Sequence, residues 1–450
     1  MTGAAAETPA ARKGPPVTRK EIFGWAMFDF ANSSYTTVVI TVLYSKFFVE
    51  HVVPPGSAMS KSYWSIAIII STLVALVLSP LAGAICDYSG RKKRYLFAAA
   101  ATCSLATAAL ALAQPGMVWT AIGLVALSNA AFMLSETFCG SFLPDISTPA
   151  NMGRISGLGW GIGYFGGLAS IFVAITFVVT ADPGADLPGY VRQNQLAMVA
   201  IGLFFLVTAV PTFILVHNRT PPVPGYETAG LGKLFRAGLR EFRQTFETAR
   251  ENRVLFQFLG AFMVYMAGIE AIVKFVSIYA GEVVGFSTAE LRTLFLGLQL
   301  SAAAGAFLFG WIEGRIGPKR TVMATLVWWI VGVLGIYFLG HLSQLTGAGP
   351  KQVFQILGLI AGSAIGATQA SSRTVVGLLA PRDKISQMFG FWGTFSRLGT
   401  ILGMSFGFVA DGFGSPRAAV LLVVVFFVVG LILLSRVDIA RGMREVQARG

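Results

Sequence analysis

The sequence predicts an all-α polytopic membrane protein, with twelve transmembrane helices arranged as two six-helix pseudo-repeats. Three observations lead there. The 450 residues are 55% hydrophobic and 12% charged, with a mean hydropathy of +0.70. A soluble domain carries about 25% charged residues. Twelve apolar segments follow one another, and a helix needs about 20 apolar residues to cross a bilayer. A basic hairpin, GAICDYSGRKKR at 83–94, returns as GWIEGRIGPKR at 310–320. Gly83, Gly90, Lys92 and Lys93 recur as Gly310, Gly317, Lys319 and Arg320, each 227 residues later. One hairpin repeated in the same orientation implies two halves of like topology, as in transporters that rock about a central site.

Residues 1–21, with Pro9, Pro15 and Pro16, read as a polar disordered tail. They are too polar for a secretory signal, so the first apolar segment is retained as a span. The first six spans are expected at 22–48, 62–86, 94–113, 117–139, 154–180 and 194–217, forming an N-terminal bundle over 22–217. Residues 218–252 form a polar linker that opens with Pro221, Pro222 and Pro224. It continues as a basic amphipathic piece from Lys233 to Arg253, suited to lie along a membrane surface. The second six spans are expected at 253–281, 288–312, 321–341, 351–378, 387–410 and 416–437, forming a C-terminal bundle over 253–437. A tail, 438–450, completes the chain. A looser echo supports the halves: Phe142, Pro144, Asp145 and Gly157 correspond to Leu379, Pro381, Arg382 and Gly390.

Charge sets the orientation. Twelve spans put both termini on one side, and 25 of the 34 Lys and Arg fall there. Six lie on the other side and three, Lys274, Arg373 and Arg397, lie inside spans. Positive residues stay inside, so both termini are expected in the cytoplasm, in a bacterial-type plasma membrane. The net charge of +13 does not imply nucleic acid, because it is dispersed between apolar segments. Cys86, Cys103 and Cys139 lie in or beside apolar runs and read as packing residues. His51, His217 and His341 are isolated and make no metal site. No cofactor is expected.

In the first hairpin, Asp87 is placed to accept from backbone N–H groups or an Arg, while Arg91, Lys92 and Lys93 are expected to anchor to anionic lipid headgroups. Gly90 and Gly317 mark the two turns, and Arg315 is the basic residue of the second copy. The pattern G-x-x-x-D-x-x-G-R-K resembles the signature loop of the major facilitator superfamily, which makes this loop a gating element. Tyr88 stands where that family usually has a basic residue, and Gly314 replaces the Asp in the second copy. A narrower resemblance runs along nearly the whole chain. It is carried by WAMFDFANSSY from Trp25 to Tyr35, FLPDI from Phe142 to Ile146, and GLGWGIGYFGG from Gly157 to Gly167. QASSR from Gln369 to Arg373 and FGFWG from Phe389 to Gly393 complete it. These resemble the "unknown major facilitator" branch related to the fungal autophagy-linked vacuolar amino-acid effluxer. Phe28 and Arg397 depart from its usual Tyr and Lys. The resemblance implies the major facilitator fold and secondary transport, and its fungal members imply amino-acid release.

Six ionisable side chains lie within spans: Asp29, Glu136, Glu270, Lys274, Arg373 and Arg397. Each costs about 2.5–3.5 kcal/mol at the bilayer centre on insertion scales, so each must be paired, hydrated or functional. Five fall on spans 1, 4, 7 and 10, which line the central cavity in the family resembled. At 1.5 Å per residue, Asp29, Glu136 and Arg373 fall in the cytoplasmic third, a gate or inner cavity end. Glu270, Lys274 and Arg397 fall near mid-depth, a central site. Glu270 and Lys274, at i and i+4, share a helix face and are either a self-neutralising pair or a substrate and proton site. Asp29 is either a helix–helix hydrogen bonder with Asn32 or a site residue. Arg373 and Arg397 either bridge to Glu136 or Asp29 or bind an anion. Gln369 and Gln299 supply mid-span amides that act as packing glue or as site groups. The glycines from Gly157 to Gly167 are similar to an antiporter motif that lacks its Pro here, and they read as a close helix contact.

The reading is a monomeric secondary active transporter of a small polar solute, with an amino acid the best fit and protons the coupling ion. Export follows the relatives resembled. The alternatives are a transporter-fold receptor without flux, or a carrier of lipid or drug-like molecules. No HExxH or GxxxxGK[ST] is present, so zinc-dependent hydrolysis and ATP-driven pumping have no support, and no enzyme is expected.

Overall fold

The computed structural model describes residues 16–147, 152–219, 252–380 and 385–449, with positions 230, 232–233, 236 and 239–240 of the linker. All regular structure among them is helical. The first half holds α1 (Arg19–Tyr35), α2 (Ser60–Ser89), α3 (Lys92–Ala109), α4 (Val118–Gly140), α5 (Met152–Val173) and α6 (Leu187–Leu215). The second holds α7 (Arg253–Tyr279), α8 (Thr288–Ile316), α9 (Pro318–Tyr337), α10 (Pro350–Leu379), α11 (Ile385–Gly403) and α12 (Pro416–Ser435). In the first half α1 packs on α5 and α6, α4 on α2 and α3, and α3 on α6. The second half repeats each pair: α7 on α11 and α12, α10 on α8 and α9, and α9 on α12. The sequence repeat is thus a repeat of packing. Gly90 and Gly317 both adopt positive φ, 64° and 81°, which explains why glycine stands at both turns.

Ten of the twelve helices are long and apolar enough to cross a membrane in one piece. The other two, α1 and α11, are interrupted, which corrects the expectation of plain helices at 22–48 and 387–410. Seven consecutive β-branched residues follow α1, from Thr36 to Val42, and they form a π-helical turn rather than α-helix. Branching at Cβ crowds the preceding turn, and the wider π turn relieves it. A short helix, Tyr44–Phe47, and a second π turn, Phe48–Val52, follow. In α11 the break lies at Met404, before a short helix Ser405–Gly412. The Ser65 hydroxyl donates to the Met404 carbonyl at 2.8 Å, satisfying an acceptor beside the break.

The glycine seam of α5 is a close contact, as expected, at four positions. Gly163 lies against Ser33 and the Asp29 carbonyl, and a Cβ on Gly166 would stand 2.7 Å from the Phe30 carbonyl carbon. Gly159 faces Trp25 and Asp29. Gly167 lies against Thr37 and against Gln299 of α8, while Gly157 and Gly161 have no such neighbour within 4 Å, so the need for glycine follows the packed face.

The start of α1 and the helix that follows α12 lie at one face of the bundle, here the terminal face. At the opposite, far face the halves are tied by polar contacts. Lys61 pairs with Glu282 at 3.0 Å and with Asp411 at 3.8 Å. Lys46 donates to the Phe286 carbonyl at 3.3 Å, and Arg292 to Thr176 at 2.9 Å. The hydroxyls of Ser45 and Ser277 meet at 3.0 Å, and those of Tyr190 and Thr288 at 3.1 Å.

One hairpin expectation changes. Lys92 does not reach lipid. It is 5% exposed and donates to the Ser141 carbonyl and the Asp145 carboxylate, both at 3.0 Å. Its position at the start of α3 places it under the C-terminus of α4, where carbonyls lack helical partners. Lys319, its counterpart, donates to the Ser435 and Val437 carbonyls at 3.0 and 2.6 Å, capping α12. Arg91 is exposed, and Arg315 stacks on the Trp311 ring at 3.3 Å. Residues 438–450 are more than a tail. Asp438 caps a helix α13 (Ile439–Arg449), and Gly442 of that helix packs on Leu379 and Val254. Residues 1–15, most of the amphipathic piece 233–253, and the side chains of Asp87 and Arg154 lie outside what is described.

Candidate functional site

A cavity of about 580 Å³ lies between the halves, lined by α1, α4 and α5 of the first and by α7 to α12 of the second. Much of its wall is aromatic, including Phe132, Phe275, Phe295, Trp329, Phe354 and Phe406. Asp29, Asn32, Glu136, Glu270, Lys274, Gln369 and Arg397 all line it, so seven of the eight residues predicted as the site converge. Gln299 lines it as well, beside Gly167.

Arg373 is the exception. It lies one turn beyond Gln369 toward the terminal face, outside the lining, between two tryptophan rings. The centre of the Trp160 ring is 5.6 Å from its guanidinium carbon and that of Trp392 is 5.2 Å away. Both tryptophans line the cavity. Asp29 on α1 acts on Arg373 electrostatically from the opposite half.

The charges do not sort into the two tiers expected from depth. Glu270 and Lys274 are in direct contact along one face of α7, so Lys274 is already neutralised. Arg397 turns instead to the first half, where it donates to the Thr137 hydroxyl at 3.2 Å and feels the charge of Glu136. Glu136 also interacts with Asp29, Glu270 and Lys274, which makes one cluster rather than two. Among the described residues neither Arg373 nor Arg397 has a carboxylate within 4.0 Å. Each faces an acid of the other half across a gap.

The partition follows from which helix carries which charge. The first half supplies two carboxylates, Asp29 and Glu136. The second supplies two guanidiniums, Arg373 and Arg397, plus the Glu270–Lys274 pair. The sum is neutral. Asn32 adds a further polar group: it is 4% exposed, and its Oδ1 has no hydrogen-bond partner. Leaving a buried acceptor unmatched costs about 1–3 kcal/mol, and this amide stands at the cavity wall.

Sequence reasoning missed Trp160, Trp392 and Thr137 as site groups. Both tryptophans stood in motifs already singled out. Their depth, near that of an intramembrane arginine, was the signal that could have found them, since indole rings hold guanidinium groups.

Comparison with known proteins agrees with this architecture. A family described as "Vacuole effluxer Atg22 like" matches residues 50–447. The uncharacterized MFS-type transporter YxiO of Bacillus subtilis is 25% identical over 420 residues, covering 92% of this chain and 94% of that protein. Autophagy-related protein 22-1 of Neosartorya fischeri is 22% identical over 311 residues, 66% of this chain and 49% of its own length. Among solved structures, the D-xylose–proton symporter superposes with a TM-score of 0.67 at 13% identity, covering 94% of this chain and 98% of that one. That likeness is one of fold. A family match over residues 50–447, on a twelve-helix fold built around a charged central cavity, places the chain in the vacuole effluxer Atg22-like family of major facilitator transporters.

Proposed function

We propose that this transporter moves a small zwitterionic solute, with an amino acid the best fit, by alternating access and coupled to protons. The observation that carries the proposal is the division of charge across the cavity, acids on the first half and guanidiniums on the second, without ion pairs between them. An ammonium group fits between Asp29 and Asn32, and a carboxylate fits at Arg397. Glu270 and Lys274 neutralise each other and hold α7 rather than the solute. A ligand that touches both halves favours the state in which they close on it, and a transporter needs that differential contact. A proton on Asp29 or Glu136 serves to discharge the acidic half for the return step. Export follows the description of the family. The excess of Lys and Arg at the terminal face puts both termini in the cytoplasm of a plasma membrane, and the chain acts as a monomer.

The test is counterflow in proteoliposomes loaded with pooled amino acids, with and without an imposed pH gradient. Exchange that responds to the gradient supports a proton-linked carrier. Gradient-independent exchange keeps the zwitterion and removes the proton. No exchange, from protein that melts cooperatively, removes the amino-acid reading.

A further inference from the structure

We propose that Trp160 and Trp392, clamping Arg373 between them, form the gate that closes the cavity toward the terminal face. Trp160 belongs to α5 in the first half, while Arg373 and Trp392 belong to α10 and α11 in the second. The stack therefore bridges the halves. Trp160 and Trp392 line the cavity and Arg373 does not, so the guanidinium sits behind the two rings, on the side of the termini.

The two ends of the cavity are closed by different chemistry. The far face carries ion pairs and hydrogen bonds from four separate helical segments of the first half: Ser45, Lys46, Lys61, Thr176 and Tyr190 all reach the second half. Toward the terminal face, the cross-half polar contacts among the described residues near the cavity are the Arg373–Trp160 stack and the Arg397–Thr137 hydrogen bond. A stacked guanidinium suits a contact that must break often. The two rings ask for no hydrogen bond, so parting the guanidinium from Trp160 breaks none. Arg373 keeps Trp392 when Trp160 leaves, and Trp392 is itself held by Phe262 of α7 at a ring-centre distance of 5.4 Å. Trp160 is backed by Tyr164 at 6.5 Å. The half-to-half boundary thus runs between Trp160 and Arg373, and there the gate parts. Trp160 and Trp392 act as positioning residues for transport.

This inference rests on the transport reading for its purpose, but its test needs no substrate. Full-length protein with Cys86, Cys103 and Cys139 replaced by Ala carries one reporter, Ser33→Cys, on the cavity wall. A membrane-impermeant trimethylammonium thiosulfonate is applied to vesicles from one face at a time. Trp160→Ala is expected to speed labelling from the terminal face about tenfold and to leave labelling from the far face unchanged. Arg373→Lys should do the same, because an ammonium on a flexible stem does not stack as a planar guanidinium does. Trp160→Phe, which keeps a ring, should stay within about threefold of the parent. Parental rates from the terminal face in both Trp160→Ala and Arg373→Lys overturn the gate. So does equal acceleration from both faces, which marks a loosened bundle. Loss of amino-acid counterflow with side-specific labelling intact would remove the proposed substrate and leave the gate standing.

Discussion

Replacing Lys274 by Met, alone and together with Glu270→Gln, decides whether the α7 pair holds the helix or handles the solute. Lys274 is 8% exposed and in direct contact with Glu270, whose side chain is 18% exposed. Lys274→Met strands that carboxylate in the cluster that already contains Glu136. Breaking a buried pair by removing one partner costs about 3–5 kcal/mol, whereas replacing both by uncharged groups of similar volume is often close to neutral. The single variant should therefore lose roughly 3 kcal/mol of stability and most of its folded yield. The double variant, Glu270→Gln with Lys274→Met, should recover nearly all of both. Thermal melting in detergent reads the first quantity and counterflow the second. The double variant is expected to melt near the wild type and to exchange solute at a rate within about threefold. A double variant that melts normally and exchanges nothing would show that the pair handles solute or protons, and the assignment of both charges to structure would fall. A harmless Lys274→Met would refute the energetics, since the stranded Glu270 must then be hydrated or protonated without cost.

Arg219, at the entry to the linker, is 4% exposed and pairs with Glu21, 2% exposed, through two nitrogens, one of them at 2.7 Å. Arg219→Ala should destabilise the first half by about 3–5 kcal/mol, measured as lost monodisperse yield, and Glu21→Gln with Arg219→Met should restore it. Gly166→Ala places a methyl group against the Phe30 backbone; overpacking of this kind costs about 1–3 kcal/mol and should lower the melting temperature, while Gly161→Ala, facing open space, should not. Lys92→Ala removes the donor shared by the Ser141 carbonyl and Asp145 and should cut transport rate and stability together, since the residue is a buried brace.

The architecture was legible because its cause is local in sequence. Twelve apolar runs and one basic turn written twice are enough to place helices in a membrane, and Gly90 and Gly317 announce turns that only glycine adopts freely. The site residues were legible for a similar reason: a charge inside an apolar run is conspicuous, and seven of the eight named residues line the cavity. What depth along a helix did not reveal was partnership. Counting residues from a span end placed Arg397 beside Glu270 and Lys274, but i, i+4 spacing had already joined those two, so Arg397 turned to Thr137 across the cavity. Nor did the apolar count distinguish α-helix from the π turn at Thr36–Val42, where seven β-branched residues carried the signal. Lys92 was misread because a basic residue in a loop suggests lipid, while the carbonyls waiting for it belong to α4, some fifty residues away in the chain.

The partition of charge between the halves makes a prediction about the net charge of the ligand. With the α7 pair self-neutralised, Asp29 and Glu136 face Arg397 in the lining and Arg373 just behind it, and the six charges sum to zero. A zwitterion keeps that sum at zero; a lone cation or anion leaves one charge without a counterpart. Two charges 4 Å apart interact by about 1 kcal/mol in water and about 4 kcal/mol near a protein surface. A cavity that is wet but partly enclosed lies between, at about 2 kcal/mol, or roughly thirtyfold in affinity. Glu136→Gln makes the cavity net positive and Arg397→Gln makes it net negative. Competition for exchange by an amino acid, its decarboxylated amine and its deaminated acid reads the result. Glu136→Gln should raise the acid-to-amine preference about thirtyfold, and Arg397→Gln should lower it by a similar factor. Opposite shifts cannot come from general damage, which would weaken all three ligands alike. Ratios that stay within threefold of the wild type in both variants would refute the charge-balance account and return these four side chains to a purely structural role.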